Sequence, residues 1–307
     1  MLEESQGVTA SLTYALSPAV KDFIAGAAGG SASVLAGHPL DTVRIRLQHG
    51  RTDSIQVIAR ALLAKEGPKA LFKGAVYPLL TVAIQSAVVF QSYGVACRAI
   101  TSKTQSDAPL SYSLVCAAGM FAGAVQTLIS TPVDLLKIRQ QLQLVPPGSP
   151  QYVGPLQLLR HILSTEGLPG LYRGACITLL RDVPAHAIYF TSYEACHEIF
   201  APGSRASGQP SAAVQFCGGG LAGMLSWLGI YHFDVIKTRL QSRPRATSPY
   251  SGWMHCAAES YRQEGRGVFF RGLGTTLCRA FVVNAVLFSV YEAALQGLHS
   301  HDPANAA

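Results

Sequence analysis

One acid–base motif occurs three times in this sequence and could form ion pairs. Each copy has an aspartate, a base three residues later and a glutamine four residues beyond that base. The copies are Asp41, Arg44 and Gln48; Asp134, Lys137 and Gln141; and Asp234, Lys237 and Gln241. The aspartates are spaced by 93 and 100 residues, which indicates that a unit of about one hundred residues is repeated.

A ring of ion pairs is possible if the three copies lie on neighbouring helices. The aspartate of one repeat would then meet the base of another: Asp41 with Lys137, Asp134 with Lys237 and Asp234 with Arg44. Each glutamine lies one turn beyond its base, where it could brace a pair. A buried ion pair contributes little net stability because desolvation opposes its attraction. This balance suits a gate that must open; the alternative is a static structural network.

A second set of residues stands seven positions after the glycine of an aromatic-basic-Gly triplet. The set is Thr81, Arg181 and Arg279, and Asp182 follows Arg181 directly. Because the positions are equivalent, we expect them at one depth of a common lumen, where a charge is costly and usually functional. Arginine can bind a carboxylate in a bidentate geometry, and Asp182 could bind a cation. The set therefore favours a zwitterion with an extra positive charge, or else a structural Arg181–Asp182 pair.

Six apolar segments must position these residues. Charged residues make up 13% of the chain, against roughly 25% in soluble domains. The segments are 19–47, 74–100, 114–142, 175–200, 213–240 and 273–298, with shorter helical stretches at 55–64, 156–164 and 253–262. At about 1.5 Å per residue, each long segment can cross a bilayer.

These elements predict an all-α membrane protein with six transmembrane helices in a three-fold pseudosymmetric barrel and three short helices. The divisions are 1–18, an N-terminal tail; 19–105, the first repeat; 106–205, the second; and 206–307, the third with a short C-terminal tail. Three hairpins entering in the same sense place both termini on one side. Gly26 and Gly30 suggest a close-packing face on the first helix.

Composition also argues against other classes of protein. The net charge is +7, but no run of five bases occurs, so nucleic acid is not expected as a partner. The seven cysteines form no Cys-x-x-Cys pair, and no metal site is expected. No catalytic triad or phosphate-binding loop is present, which predicts a protein that is not an enzyme and needs no cofactor.

The repeated motifs resemble the signature of mitochondrial carriers over residues 20–298. The signature is Pro-x-Asp-x-x-base-x-Arg, then Glu-Gly and the aromatic-basic-Gly triplet. Segments 181–186 and 279–284 are most similar to the branch of basic amino acid, ornithine and carnitine carriers. Segment 279–284, together with residues 88–91, is most similar to the plant members of that branch. The resemblance implies a monomeric multi-pass protein of the mitochondrial inner membrane with both termini in the intermembrane space.

The resemblance also implies roles for individual residues. It makes the ion-pair ring a matrix gate and assigns the substrate to Thr81, Arg181, Asp182 and Arg279. Gln85 could add a hydrogen bond, and Trp227 could hold a cation by cation–π contact at ~1–2 kcal/mol or serve only in packing. A cytosolic gate would contain Tyr93, Tyr193, Glu194, Tyr291 and Glu292, and cardiolipin would bind at the helix starts marked by Gly74, Gly174 and Gly272. His186 and Asn284 could face the lumen or join helices.

Two departures from the family pattern bear on gating. His232 replaces the third proline of the motif, so the third repeat lacks the kink expected at Pro39 and Pro132. The bases of the cytosolic gate are also missing, since Cys97, His197 and Leu295 stand in their places. A weak cytosolic gate predicts net uniport beside exchange.

The sequence thus predicts a transporter of basic amino acids that works by alternating access. Its candidate substrates are arginine, lysine and ornithine, with citrulline and histidine as further candidates. Carnitine, an acylcarnitine or another quaternary ammonium solute is the alternative, because such a solute also carries a carboxylate and a cation.

Overall fold

The computed structural model describes residues 18–50, 54–104, 110–202 and 212–300. The predicted N-terminal tail up to residue 17, the C-terminal residues 301–307 and most of the predicted linkers lie outside the described residues.

Ten α-helices make up the described part of the chain. Six are long: α1 Pro18–His49, α3 Val76–Thr104, α4 Tyr112–Gln141, α7 Ala175–Phe200, α8 Ala212–Gln241 and α10 Leu273–Ser300. Four are short: α2 Ile55–Glu66, α5 Pro155–Thr165, α6 Gly167–Leu171 and α9 Trp253–Glu264. The helix α6 was not predicted; its counterparts in the other repeats are the 3-10 helices Pro68–Phe72 and Arg266–Phe270.

The long helices form a closed ring in chain order. Each contacts the next, and α10 returns to α1. Packing is closest between α4 and α7, α7 and α8, and α10 and α1. By length and composition alone, three apolar spans could cross a membrane. They are Pro68–Ser102, Tyr112–Gln141 and Arg266–Leu298. Of the other three long helices, α1 contains five charged residues, α7 four and α8 three.

Glycines set the closest helix contacts. A Cβ on Gly123 of α4 would lie 2.5 Å from the carbonyl oxygen of Asp182 on α7, so only glycine fits there. On α1, the close-packing face predicted at Gly26 and Gly30 is centred on Gly29 instead. A Cβ on Gly26 would meet nothing within 4 Å, whereas one on Gly29 would lie 2.7 Å from the carbonyl oxygen of Leu287 on α10.

The glycines of the aromatic-basic-Gly triplets stand at the starts of α3, α7 and α10 and adopt a left-handed backbone conformation. Their φ angles are 77° at Gly74, 79° at Gly174 and 86° at Gly272, a region that disfavours side chains. Pro39 and Pro132 lie inside α1 and α4, and α8 continues through His232 without a proline.

Candidate functional site

A cavity of about 550 Å³ is lined by residues from all six long helices. A smaller cavity of about 210 Å³ lies next to it, among the acid–base motifs of α1, α4 and α8. Seven residues line both cavities and so form the boundary between them: Gln85, Gln126, Arg181, Asp182, His186, Trp227 and Arg279. Five of these were predicted as substrate-binding residues from the sequence.

Thr81 is the exception among the predicted substrate residues, because it does not line either cavity. Its hydroxyl donates to the carbonyl of Tyr77 on its own helix at 2.8 Å and accepts from Gln85 at 2.6 Å. Threonine is short and bonds readily to the preceding turn of a helix. Thr81 therefore supports Gln85 rather than reaching the cavity itself.

His186 and Asn284 both line the large cavity, so the lumen position left open from the sequence is the observed one. His186 Nδ1 lies 2.8 Å from the carbonyl oxygen of Asp182, one turn earlier on α7. A helix carbonyl can only accept, so Nδ1 carries the proton and Nε2 remains available as an acceptor.

Three inter-repeat ion pairs close one end of the small cavity. Lys137 Nζ lies 2.6 Å from Asp41, Arg44 contacts Asp234 and Lys237 contacts Asp134. These are the pairs predicted from the repeated motif. Arg44, Asp234 and Lys237 are buried, and Lys237 is 1% exposed, whereas the side chain of Asp134 is 26% exposed. Removing one partner from such a pair would leave an uncompensated buried charge.

The predicted glutamine brace is present in one pair of the three. Gln48 donates to Asp234 at 2.9 Å and to the hydroxyl of Tyr231 at 3.1 Å. Gln141 instead donates to Thr42 at 3.0 Å, and Gln241 donates to the carbonyl of Arg173 at 3.0 Å. For these two the predicted brace is wrong, because each amide satisfies a nearer uncharged acceptor at the junction between repeats.

The two lumen arginines are bound to the gate aspartates. Arg279 Nε lies 2.6 Å from Asp41. Arg181 lies 3.1 Å from Asp134 and 3.2 Å from Asp234, in addition to its neighbour Asp182 at 2.6 Å. Each gate aspartate thus has a second cation from the level of the large cavity. The repeat predicted one depth for these two arginines but did not predict their contacts with the gate aspartates.

Asp182 is held in a fixed orientation. It is 3% exposed, and one oxygen accepts from the hydroxyl of Ser130 on α4 at 2.6 Å. Its other oxygen accepts from Arg181 Nε at 2.7 Å. Among the described residues that line both cavities, Asp182 is the only acid.

Trp227 is already in contact with a cation. The guanidinium carbon of Arg44 lies 4.6 Å from the centre of the Trp227 ring and 5.7 Å from the Tyr231 ring. These distances are within the range of cation–π attraction. The aromatic surface predicted to hold a substrate cation is occupied by a gate residue.

The sequence profile of the family described as Mitochondrial carrier protein matches residues 16–104, 108–204 and 208–302. The chain belongs to the mitochondrial carrier family. It is a multi-pass protein of the mitochondrial inner membrane. The role of the three ion pairs as a matrix gate stays a prediction. Within the part of this carrier that the structure describes, no group of three His, Cys, Asp or Glu residues could hold a metal ion.

Several named proteins are similar to this carrier along most of its length. The mitochondrial arginine transporter BAC2 of Arabidopsis thaliana is 45% identical over 92% of this chain and 93% of its own. The mitochondrial basic amino acids transporter of Bos taurus is 40% identical, covering 87% and 89%. Solute carrier family 25 member 48 of Homo sapiens is 37% identical, covering 91% and 96%.

A second ring of charges lies beyond the three ion pairs, near the ends of α1, α4 and α8, and was not predicted. In the first repeat Arg46 binds Glu66 through two hydrogen bonds of 2.5 and 2.9 Å, and Lys73 contacts the same carboxylate. The equivalent groups are Arg139 with Glu166, and Arg239 and Arg271 with Glu264. The sequence signal was available, since these residues are the second base of the motif, the acid of Glu-Gly and the base of the triplet.

The same arginines connect the repeats. Arg46 donates to the carbonyl of Gln141 at 2.9 Å, Arg139 to that of Gln241 at 3.4 Å and Arg239 to that of Gln48 at 2.8 Å. These acceptors lie at the C-terminal ends of α4, α8 and α1, where helix carbonyls lack partners. Each repeat therefore caps a helix of another repeat.

This arrangement predicts a pH-dependent stability difference. Burial alone would raise the pKa of Glu264, but hydrogen bonds from Arg239 and Arg271 outweigh it and lower the pKa below the ordinary value of 4.5. The stabilisation is present above that ordinary value and is lost as pH falls through the lowered one. We expect Glu264→Gln to lower the melting temperature of purified protein by a few degrees at pH 7.

The difference in melting temperature between wild type and Glu264→Gln should shrink as the pH falls through the lowered pKa of Glu264, because the wild-type side chain then also becomes neutral. Thermal unfolding of both proteins across a pH series measures this directly. A difference that stays constant down to the acid limit would show that the charge of Glu264 is not the source of the stability.

The predicted cytosolic-gate residues lie on α3, α7 and α10. Their gating role stays a prediction. The ring of Tyr93 stacks on Phe190 of α7 at 3.9 Å, and Tyr193 lies 4.1 Å from the ring of His197. A Cβ on Gly29 of α1 would lie 3.4 Å from Cβ of Tyr291. In this structure, in which the three inter-repeat ion pairs are formed, these tyrosines contribute to packing.

A surface groove of about 750 Å³ lies between the starts of α7 and α9. Its lining includes Arg173, Gly174 and Arg245, together with Gly252 at the start of α9. Backbone amides at the start of a helix favour an anion. Binding of a phosphate-bearing lipid at Gly174 stays a prediction. Gly74 and Gly272 begin their helices with the same backbone geometry.

Proposed function

We propose that this carrier transports basic amino acids, with arginine, lysine and ornithine as its main substrates. The observation that carries the proposal is the boundary between the two cavities, where two arginines, one buried carboxylate and one indole ring converge. An α-amino acid with a cationic side chain matches this set in charge. The names of the Arabidopsis and bovine relatives support the same substrate class.

The substrate carboxylate would compete with the matrix gate for the lumen arginines. Arg181 and Arg279 are bound to the three gate aspartates in the present structure. A carboxylate in the large cavity would draw a guanidinium away from an aspartate and so weaken the gate. A ligand shifts an equilibrium only by its differential affinity for the two states, and this competition supplies such a difference.

The substrate cation would act on the gate from the other side. It would bind Asp182 and the face of Trp227, which Arg44 occupies in this structure. Displacing Arg44 from the ring weakens its support of Asp234. A solute with both charges thus loosens two parts of the gate together, whereas a simple anion or cation loosens only one.

Uptake into liposomes tests the proposal. Purified carrier would be reconstituted and supplied with radiolabelled arginine, lysine, ornithine, citrulline, histidine and carnitine. We expect saturable uptake of arginine, lysine and ornithine that exceeds uptake of carnitine. Preferential uptake of carnitine would establish the alternative substrate class, and uptake of none of them would overturn the proposal.

We infer the other properties of the carrier from the same features. Cardiolipin would bind in the groove at Gly174 and at the equivalent starts of α3 and α10. The carrier would function as a monomer, because its passage lies within one ring of six helices. It would have no enzymatic activity, no cofactor and no nucleic-acid partner, and both termini would face the intermembrane space.

Net uniport is a further expected result. The positions where the family has cytosolic-gate bases hold Cys97, His197 and Leu295, so the state closed toward the cytosol should be weakly stabilised and able to reopen without substrate. We expect radiolabelled arginine to enter liposomes that contain no internal amino acid. Introducing the missing base with Leu295→Lys should reduce this uptake relative to exchange. Uptake that strictly requires internal substrate would contradict the expectation.

A further inference from the structure

A chain of hydrogen bonds crosses the wall of the cavity between α3 and α4. Thr81 donates to the carbonyl of Tyr77 at 2.8 Å, Gln85 donates to Thr81 at 2.6 Å, and Gln126 donates to Gln85 at 2.8 Å. Gln126 is 7% exposed and lines both cavities. The chain therefore leads from the backbone of α3 to the site where the substrate is proposed to bind.

The first bond fixes the direction of the whole chain. Two oxygens at 2.8 Å require a proton between them, and a carbonyl has none, so the hydroxyl proton of Thr81 lies toward Tyr77. Thr81 must then accept from the amide NH₂ of Gln85. The carbonyl of Gln85 consequently faces the NH₂ of Gln126, and the remaining atom, Gln126 Oε1, can only be an acceptor.

This acceptor has no partner within the described structure. Gln126 Oε1 is buried and makes no hydrogen bond. An unpaired buried acceptor destabilises a protein, and a donor that reached it would remove that cost. The equivalent residues of the other repeats differ, since the hydroxyl of Ser33 donates to the carbonyl of Gly30 and that of Ser226 to the carbonyl of Ala185, each at 2.8 Å.

The acceptor lies on the same wall as the buried carboxylate. Gln126 is one turn of α4 before Ser130, whose hydroxyl binds Asp182 at 2.6 Å. A cation that approaches Asp182 along this wall would therefore meet Gln126 Oε1 as well. Guanidinium and ammonium groups carry several N–H donors and can bind both acceptors, whereas a quaternary ammonium carries none.

We propose that Gln126 is a specificity-determining residue that selects cations with N–H donors over quaternary ammonium groups. The proposal rests on the proposed transport of basic amino acids and deepens it. Trp227 cannot make this distinction, because an aromatic face also attracts quaternary ammonium cations. Gln85 and Thr81 act through Gln126 by holding its amide in one orientation.

A pair of substrates that differ only in their N–H groups provides the test. L-lysine and its Nε-trimethyl derivative would compete for uptake of radiolabelled arginine into proteoliposomes. We expect wild type to favour lysine, and Gln126→Met to reduce the ratio of the two inhibition constants by about 10-fold or more, as for loss of a hydrogen bond to a charged group. The ratio does not depend on how much protein inserts correctly.

Two further variants make the result interpretable. Gln85→Met leaves Gln126 in place but frees its amide to turn, so we expect a smaller fall in the ratio. Gln56→Met makes the same substitution at an exposed position on α2 and should leave the ratio unchanged. If Gln126→Met does not insert, Gln85→Met alone still tests the chain.

The outcomes separate this inference from the proposed function. Wild type that takes up neither arginine nor lysine would overturn the transport proposal. Wild type that takes up both, with an unchanged ratio in Gln126→Met and Gln85→Met, would overturn only the role of Gln126.

Discussion

Replacing Asp182 with asparagine should reduce arginine uptake by about 100-fold, since truncating one partner of a buried charge pair costs about 2–5 kcal/mol. Asp182 is the buried carboxylate at the boundary of the two cavities, and it binds both Arg181 and Ser130. Asparagine keeps the shape and an acceptor for Ser130 but removes the negative charge. The substrate cation loses its anionic partner, and Arg181 is left to the gate aspartates alone. The initial rate of radiolabelled arginine uptake into liposomes measures the effect.

Glu259→Gln is the matched control for this variant. It makes the same acid-to-amide change on α9, where Glu259 binds the exposed Arg262 at 3.0 Å, away from both cavities. Thermal unfolding of each purified variant shows whether it remains folded. A folded Asp182→Asn protein with uptake within a factor of two of wild type would remove Asp182 from the substrate site.

Replacing Asp234 with asparagine should have the largest effect on stability. Asp234 contacts Arg44 and Arg181 and accepts from Gln48 at 2.9 Å. Without its charge, Arg44 remains buried against Trp227 with only Asp41, at 3.6 Å, as an anionic partner. Breaking a buried pair in this way costs about 3–5 kcal/mol, which corresponds to a fall in melting temperature of about 5 °C or more. Thermal unfolding in detergent measures this, and arginine exchange should slow in parallel.

A double variant distinguishes an unpaired charge from a general packing defect. Adding Arg44→Met to Asp234→Asn removes the stranded cation, so part of the lost stability should return. An equal or greater loss of thermal stability in the double variant would show that the Arg44–Asp234 contact is not what stabilises the end closed by the ion pairs.

Repetition is what made the fold and the three gate pairs predictable from the sequence. Equivalent positions of a three-fold barrel must share a depth, so Asp41 and Lys137 could be paired without knowing any side-chain conformation. The same reasoning predicted that Arg181 and Arg279 face the interior, and both line the cavities. Symmetry predicts the backbone position of a residue, but it does not predict which ion-pair partners a long side chain reaches. Arg181 reaches Asp134 of its own repeat and Asp234 of the third repeat, because the guanidinium lies several bonds from the backbone position that symmetry fixes.

Residues that break the symmetry were the ones missed or misassigned. Gln126 corresponds to serine in the other repeats, so the comparison of repeats gave it no weight. Gln141 and Gln241 match Gln48 in position but not in partner, because Thr42 and the carbonyl of Arg173 lie within reach of them. Trp227 was correctly placed at the cavity, but a sequence cannot show that Arg44 would cover its face.

The ring of helix caps has a consequence for how the protein is made. The carbonyl of Gln48, at the end of the first helix, is capped by Arg239, which lies 191 positions further along the chain. A nascent or truncated polypeptide that lacks its last third is therefore an open arc, with bare helix ends and charged edges turned toward lipid. Only the complete polypeptide can join its first and last helices, so quality-control proteases and assembly factors have a clear physical difference by which to tell unfinished copies from mature ones.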